Sequence, residues 1–135
     1  MTQWLVKSEP VKWSWQQMKD AGTTHWDGVR NPQAAMYLKA MKKGDLAFFY
    51  HSNEGKEIVG VVKIAREAYP DPSDETGRYV MVDVAYHKPL KKPVTLATIK
   101  SMPEMADIGL VRQSRLSVMP ITDAHWEIIA GLGGL

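Results

Sequence analysis

Apolar and polar positions change period several times along the chain, and the changes mark out its elements. Gln3 to Lys7 alternates weakly and predicts a first strand, ended by Pro10. Ser14 followed by Gln17 forms a capping-box pattern, so a helix starts there and ends at Gly22. Residues 23–32 read as a polar, glycine-bearing loop. Asn31 is then a good N-cap and Pro32 suits the first helical position. Ala34, Tyr37, Leu38 and Met41 follow the helical spacing of a buried face. Lys42 and Lys43 are expected in the last turn, with Gly44 closing the helix.

The second half is strand-rich. Leu46 to His51 is a short apolar and aromatic run, and Asn53-Glu54-Gly55-Lys56 a turn. Ile58 to Ile64 is β-branched, and Gly60 inside it predicts a bulge or a close backbone approach. Pro70 to Gly77 is a loop. Tyr79 to Tyr86 alternates, with Val80, Val82, Val84 and Tyr86 on one face. Lys88 to Pro93 reads as a basic connection. A short helix from about Thr95, an irregular stretch around Pro103, a strand over Leu116 to Ile121 and a helix from Thr122 to Gly131 complete the chain. The order β-α-α-β-β-β-α-β-α, with short turns between strands, predicts an α+β domain: an antiparallel sheet or barrel with helices outside, not a βαβ fold.

Composition narrows this picture. A chain of 135 residues, 44% hydrophobic, suits one domain over 1–135 with one core. Cysteine is absent, so disulfides and thiolate metal sites are excluded. The N-terminal residues carry no secretory signal pattern, and no apolar run approaches the ~18 residues of a membrane span, so the expected location is the cytosol. A net charge of +2 is too small for binding nucleic acid by charge alone. Contacts to bases would have to carry much of any such affinity.

Candidate chemistry is sparse. His25, His51, His87 and His125 are far apart, and none forms a helical metal pair. His51 and Ser52 are neighbours on a strand, so their side chains point to opposite faces and a Ser–His dyad is not expected. The enzymatic alternative is an acid–base pair of His51 and Asp27 acting on a nucleotide or modified base. Tryptophan is frequent, at five residues. Trp126 and Trp15 suit the core. Trp26, in a polar segment with Asp27, Arg30 and Asn31, is either core or an aromatic platform for a ligand. Arg30 and Asn31 precede a helix whose free N–H groups can hold an anion; alternatively Asn31 caps and Arg30 pairs with Asp27.

Longer motifs add a resemblance. Trp4 to Pro10 reads W-L-V-K-S-E-P, Trp26 to Ala34 W-D-G-V-R-N-P-Q-A, and Lys43 to Ser52 K-G-D-L-A-F-F-Y-H-S. Val59 to Val62 reads V-G-V-V, Met81 to Val84 M-V-D-V, and Leu110 to Val118 L-V-R-Q-S-R-L-S-V. This set, in order along nearly the whole chain, resembles the EVE domain family. The resemblance implies a PUA-like fold, a twisted antiparallel β-barrel flanked by helices. It also implies a non-enzymatic module reading a modified base, most simply modified cytosine in DNA, much as the related YTH domains hold methylated adenine in an aromatic cage. DNA is expected as partner over RNA, and no cofactor, metal or membrane is implied.

Lys7-Ser8 and Trp26 are similar to the YTH pattern. The base pocket expected on this resemblance comprises Ser8, Glu9, Trp26, Asn31, Tyr50, His51 and Ser52, with Trp26 and Tyr50 as walls. Glu9 either accepts from a cytosine amine or is a surface residue of the turn before Pro10. Lys7, Arg30, Arg112 and Arg115 are the expected phosphate contacts, with Lys12, Lys88, Lys91 and Lys92 as further basic candidates. Pro32, Ala35 and Tyr79 stand where the family commonly has tyrosine, arginine and tryptophan.

Overall fold

The computed structural model describes residues 3–53 and 55–135. The expected turn at 53–56 therefore falls partly on Glu54, outside the described residues. Six strands form one sheet in the order β2-β5-β4-β3-β1-β6, where β1 is Gln3–Ser8, β2 Thr23–Trp26, β3 Leu46–His51, β4 Glu57–Pro70, β5 Val80–Thr95 and β6 Val118–Ile121. Helices α1 (Trp15–Ala21), α2 (Pro32–Ala40), α3 (Leu96–Lys100), α4 (Gly109–Arg112) and α5 (Asp123–Leu132) complete the α+β architecture, with one 3₁₀ turn at Pro103–Met105.

The sheet is mixed, not wholly antiparallel. β1 and β3 run parallel, from Gln3 opposite Leu46 to Ser8 opposite His51, and the other pairings are antiparallel. Parallel neighbours cannot be joined by a tight hairpin and need a crossover. Here the crossover holds α1, β2 and α2. Its middle strand, β2, corrects the reading of 23–32 as entirely loop: Thr23 to Trp26 pairs with Ala85 to Val82 of β5. Threonine and tryptophan suit a strand, but a segment of this length shows too few periods to stand out.

Local signals predicted the helix starts well. Ser14 and Gln17 make the reciprocal capping box at α1, Gly22 is its C-cap, and the Asn31 side chain accepts from the Ala34 N–H at α2. The end of α2 comes earlier than expected, at Ala40 with Met41 as C-cap, so Lys42 and Lys43 lie past the helix. The Lys42 N–H instead donates to the buried Asp45 carboxylate, which also accepts from Trp4 Nε1 at 3.0 Å.

Two long strands replace shorter predicted ones. Lys88 to Pro93, expected as a connection, continues β5: Lys88 lies opposite Val61, Pro89 opposite Gly60 and Val94 opposite Ile58. The β4–β5 ladder breaks register at four places, and such irregularities both tolerate proline and increase the coiling of the strands. Gly60 sits at one break, and a Cβ there would overlap the Trp15 indole. Both expectations for this glycine, bulge and close approach, are therefore met. The Trp15 ring lies between Phe49 and Tyr86, with centroids at 5.1 and 5.0 Å. Phe48 stacks on Trp126 of α5 at 3.8 Å on the other side of β3 from Phe49.

The connection from β2 to α2 is held by Asp71, which is buried in the loop after β4. Its carboxylate accepts from Gly28 N–H (2.8 Å), Arg30 Nη1 (3.2 Å) and both the N–H and Oγ–H of Ser73. Arg30 thus pairs with Asp71 and not with Asp27, and its guanidinium lies 5.3 Å from the Tyr79 ring centroid. Burial pushes the Asp71 carboxyl up, but the hydrogen bonds from Ser73, Gly28 and Arg30 prevail and hold it at about 2.

Two consequences are measurable. Gly60→Ala should destabilise the fold by roughly 1–3 kcal/mol, the cost of overpacking, read as a lower urea midpoint at unchanged m-value. Because the Asp71 carboxyl is depressed from 3.8 to about 2, its stabilisation is fully present above pH 4 and is lost as pH falls toward 2. Asp71→Asn should therefore lower stability at neutral pH by about 1–3 kcal/mol and give a shallower loss of stability in acid titrations.

Candidate nucleic-acid interface

The sheet curls until residues from its two ends flank one cavity. Lys7, Ser8 and Glu9 at the end of β1 form one wall, with Lys12 and Trp13 from the turn that follows. Thr24 to Trp26 of β2 and the Asp27–Arg30 segment form another, and Ser117, just before β6, closes the rim. The space measures about 450 Å³, within the range of small-ligand sites.

Each wall is locally fixed. The Lys7 N–H donates to Ser117 O, and Lys7 Nζ donates to Ser114 O at 2.8 Å. Burial lowers the affinity of this ammonium for its proton. Ser8 Oγ–H donates to Trp13 O, and Lys12 and Trp13 N–H both donate to Glu9 O, so the turn after β1 is closed on itself. Glu9 and Lys12 form a loose ion pair at 3.7 Å. Trp26 is buried and meets Phe49 edge-on, at 5.7 Å and 82°. It is thus both core residue and cavity wall, which unites the two readings of its sequence position.

Trp13 is the residue that sequence reasoning passed over. It lines the cavity, yet its indole Nε1–H is buried without a hydrogen-bond partner in the described structure. An unpaired buried donor costs about 1–3 kcal/mol unless something supplies an acceptor. The W-S-W spelling at Trp13 to Trp15 was the available signal, but nothing in it says which indole faces the cavity.

Of the expected pocket residues, Ser8, Glu9 and Trp26 come together, with Lys7 and Arg30 beside them. Tyr50, His51, Ser52 and Asn31 do not line this cavity, and each has another role. Tyr50 is packed in the core, where burial raises its phenol pKa. His51 Nε2 accepts from the Trp15 N–H at 2.9 Å and so caps α1; burial lowers its imidazole, opposed by the charge of Glu57. That role leaves the proposed His51–Asp27 acid–base pair without its geometry, since only Asp27 reaches the cavity. The Ser52 N–H donates to Ser8 O and extends the β1–β3 ladder. Asn31 caps α2 and lines a second cleft, about 350 Å³, with Gln33, Arg112, Ser114 and Arg115. Arg112 lies 4.0 Å from Asp107, with both side chains well exposed, and Arg115 makes no ion pair among the described residues. Ser114 belongs to this cleft while its carbonyl receives Lys7, so the two depressions share a wall.

Among the described residues, no three His, Asp or Glu side chains gather as metal ligands, and no helix is long and apolar enough to cross a membrane.

The comparisons with known proteins are consistent in both sequence and shape. Human thymocyte nuclear protein 1 is 36% identical over 163 residues, covering 96% of this chain and 72% of the human protein. The structure of that human protein in complex with 5-methylcytosine-containing DNA superposes at a TM-score of 0.92, covering 100% of this chain and 99% of that one. A protein from Rhodopseudomonas palustris solved by NMR is 54% identical, with a TM-score of 0.93 and coverage of 99% and 94%. The EVE domain profile matches residues 2–132, and the chain belongs to the EVE domain family.

Proposed function

We propose that this chain is a non-enzymatic DNA-binding module that holds a modified base, turned out of its stack, in the cavity between β1 and β2. 5-Methylcytosine is the first ligand to consider, because a relative sharing the whole fold was crystallised with DNA containing it. The observation on this chain that carries the reading is the cavity lining, where Trp13, Trp26 and the Glu9 carboxylate meet: aromatic surface beside a hydrogen-bond acceptor suits a cytosine.

The remaining walls supply what a pyrimidine needs. Trp26 offers aromatic surface, and base–aromatic stacking contributes about 1–3 kcal/mol. Glu9 can accept from the exocyclic amine of cytosine, a pairing with suitable geometry, by giving up its loose contact with Lys12. Outside the cavity, the cleft bearing Arg112 and Arg115 gives the backbone a positive path. Localisation in the compartment that holds the DNA is part of this proposal.

Magnitudes set the selectivity. One methyl group in an apolar pocket discriminates by only about 1–3 kcal/mol, while extruding a base costs a few kcal/mol. Hydrogen bonds to the base edge must therefore supply affinity, and the methyl group only a preference.

Anisotropy titrations with short DNA and RNA duplexes and single strands, each with cytosine or 5-methylcytosine, test the reading. DNA carrying 5-methylcytosine should bind most tightly. Glu9→Gln, which keeps the side-chain shape and removes the charged acceptor for the cytosine amine, should weaken binding roughly tenfold with little change in melting temperature. Arg112→Gln and Arg115→Gln should each reduce the salt slope of binding by about one, without altering base preference. Equal binding of all probes by wild type and Glu9→Gln would overturn the base-reading model. Preference for the RNA strands would reassign the partner.

A further inference from the structure

His25 was read from the sequence as an isolated histidine. The fold places it on the wall of the cavity and at the centre of a cluster drawn from three strands. Its Nδ1 lies 2.9 Å from Asp83 Oδ1 of β5 and 3.0 Å from the Tyr69 hydroxyl of β4. The Tyr69 hydroxyl in turn donates to the same Asp83 oxygen. Arg66, also on β4, covers the Tyr69 ring with its guanidinium 3.7 Å from the centroid.

Counting protons fixes the tautomer. An ionised Asp83 can only accept, and burial acting against ionisation is outweighed by the hydrogen bonds from His25 and Tyr69, which keep this carboxyl below its usual range. Tyr69 has one proton and gives it to Asp83. The proton between His25 and the pair must therefore sit on Nδ1. Nε2 is then a bare acceptor in the neutral ring and a cationic N–H donor in the protonated ring. The His25 side chain is 67% exposed, against 17% for Asp83, so the ring is held from its Nδ1 edge and open elsewhere.

We propose that His25 contacts the nucleic-acid backbone at the mouth of the cavity, donating from Nε2 to a phosphate beside the bound base, with Asp83 and Tyr69 as positioning residues. The proposal rests on the base-binding reading above. A phosphate is the fitting partner because the wall around His25 already carries Lys7, Lys12 and Arg30, with Arg66 on β4 over the Tyr69 ring. The acidic groups facing the same space are Glu9 and Asp27 on the cavity wall, in addition to Asp83. Asp83 is engaged by His25 and Tyr69, and Glu9 by Lys12. The contact needs the charged ring, so binding takes up a proton.

The experiment is a pH series of anisotropy titrations with one 5-methylcytosine DNA probe, from pH 5.5 to 8 at constant ionic strength. Wild type should bind roughly tenfold more tightly at the acid end, since the neutral ring has no proton on Nε2 to donate and loses a charge-assisted hydrogen bond. His25→Gln should flatten the profile. Asp83→Asn and Tyr69→Phe should weaken binding at the acid end, since the ring loses the partners that orient it toward the phosphate. His87→Gln, an exposed histidine outside the cavity, should keep the wild-type profile. Melting temperatures near wild type for His25→Gln would confirm that it is folded. A His25→Gln profile identical to wild type would overturn the inference and leave base reading intact. Failure of wild type to bind the probe at any pH would overturn the base-reading function itself.

Discussion

The parallel pairing of β1 with β3 is the constraint on which the rest of the structure depends. Two parallel neighbours force the intervening chain to leave the sheet, cross over and return. In this protein the detour includes β2, which pairs with β5 at the far end of the sheet order. The detour thus ties the two ends of the sheet together around a gap, and the gap is the cavity. Without it, the Thr24–Arg30 wall would have no reason to stand opposite Lys7, Ser8 and Glu9.

Coiling of β4 and β5 makes the closure possible. A flat sheet of six strands would hold β2 and β6 far apart, each strand adding about 4.8 Å. Four register breaks in the β4–β5 ladder let the strands bend, and the space gained at Gly60 is filled by Trp15. Trp15 opens α1, whose N-terminus is capped by His51. The same tryptophan therefore links the bend of the sheet to the start of the crossover. Asp71 does the equivalent work on the β2–α2 connection, where one buried carboxylate fixes Gly28, Arg30 and Ser73 together.

Much of the local structure was legible in the sequence, because its causes are local. The caps at Ser14, Asn31 and Thr122 depend on neighbouring N–H groups, and all three side chains accept as their spacing predicts. What the sequence concealed depends on distant partners. β2 is a strand because β5 lies beside it, and Lys88 to Pro93 remains strand because Gly60 and Ile58 lie opposite. The site divides in the same way. Ser8, Glu9 and Trp26 of the expected base pocket line the cavity, together with Lys7 and Arg30 of the expected phosphate contacts. Tyr50 and His51 belong to a strand beside β1, which made them plausible, yet β3 is central and its side chains are consumed by the core and by a helix cap. Trp13 and His25 could not be picked out, since the placement of one indole of W-S-W at the cavity and a three-strand hydrogen-bond cluster exist only after folding.

The cavity has no local version: its walls come from the first strand, the crossover and the approach to the last strand. No fragment of the chain could present a fraction of it. Occupancy and folding are consequently parts of one equilibrium, in which ligand at a hundred times its dissociation constant adds about 2.7 kcal/mol to the stability of the whole molecule. A ligand seated in the cavity would thus raise the melting temperature of the whole molecule, and thermal stability would serve as a direct readout of occupancy.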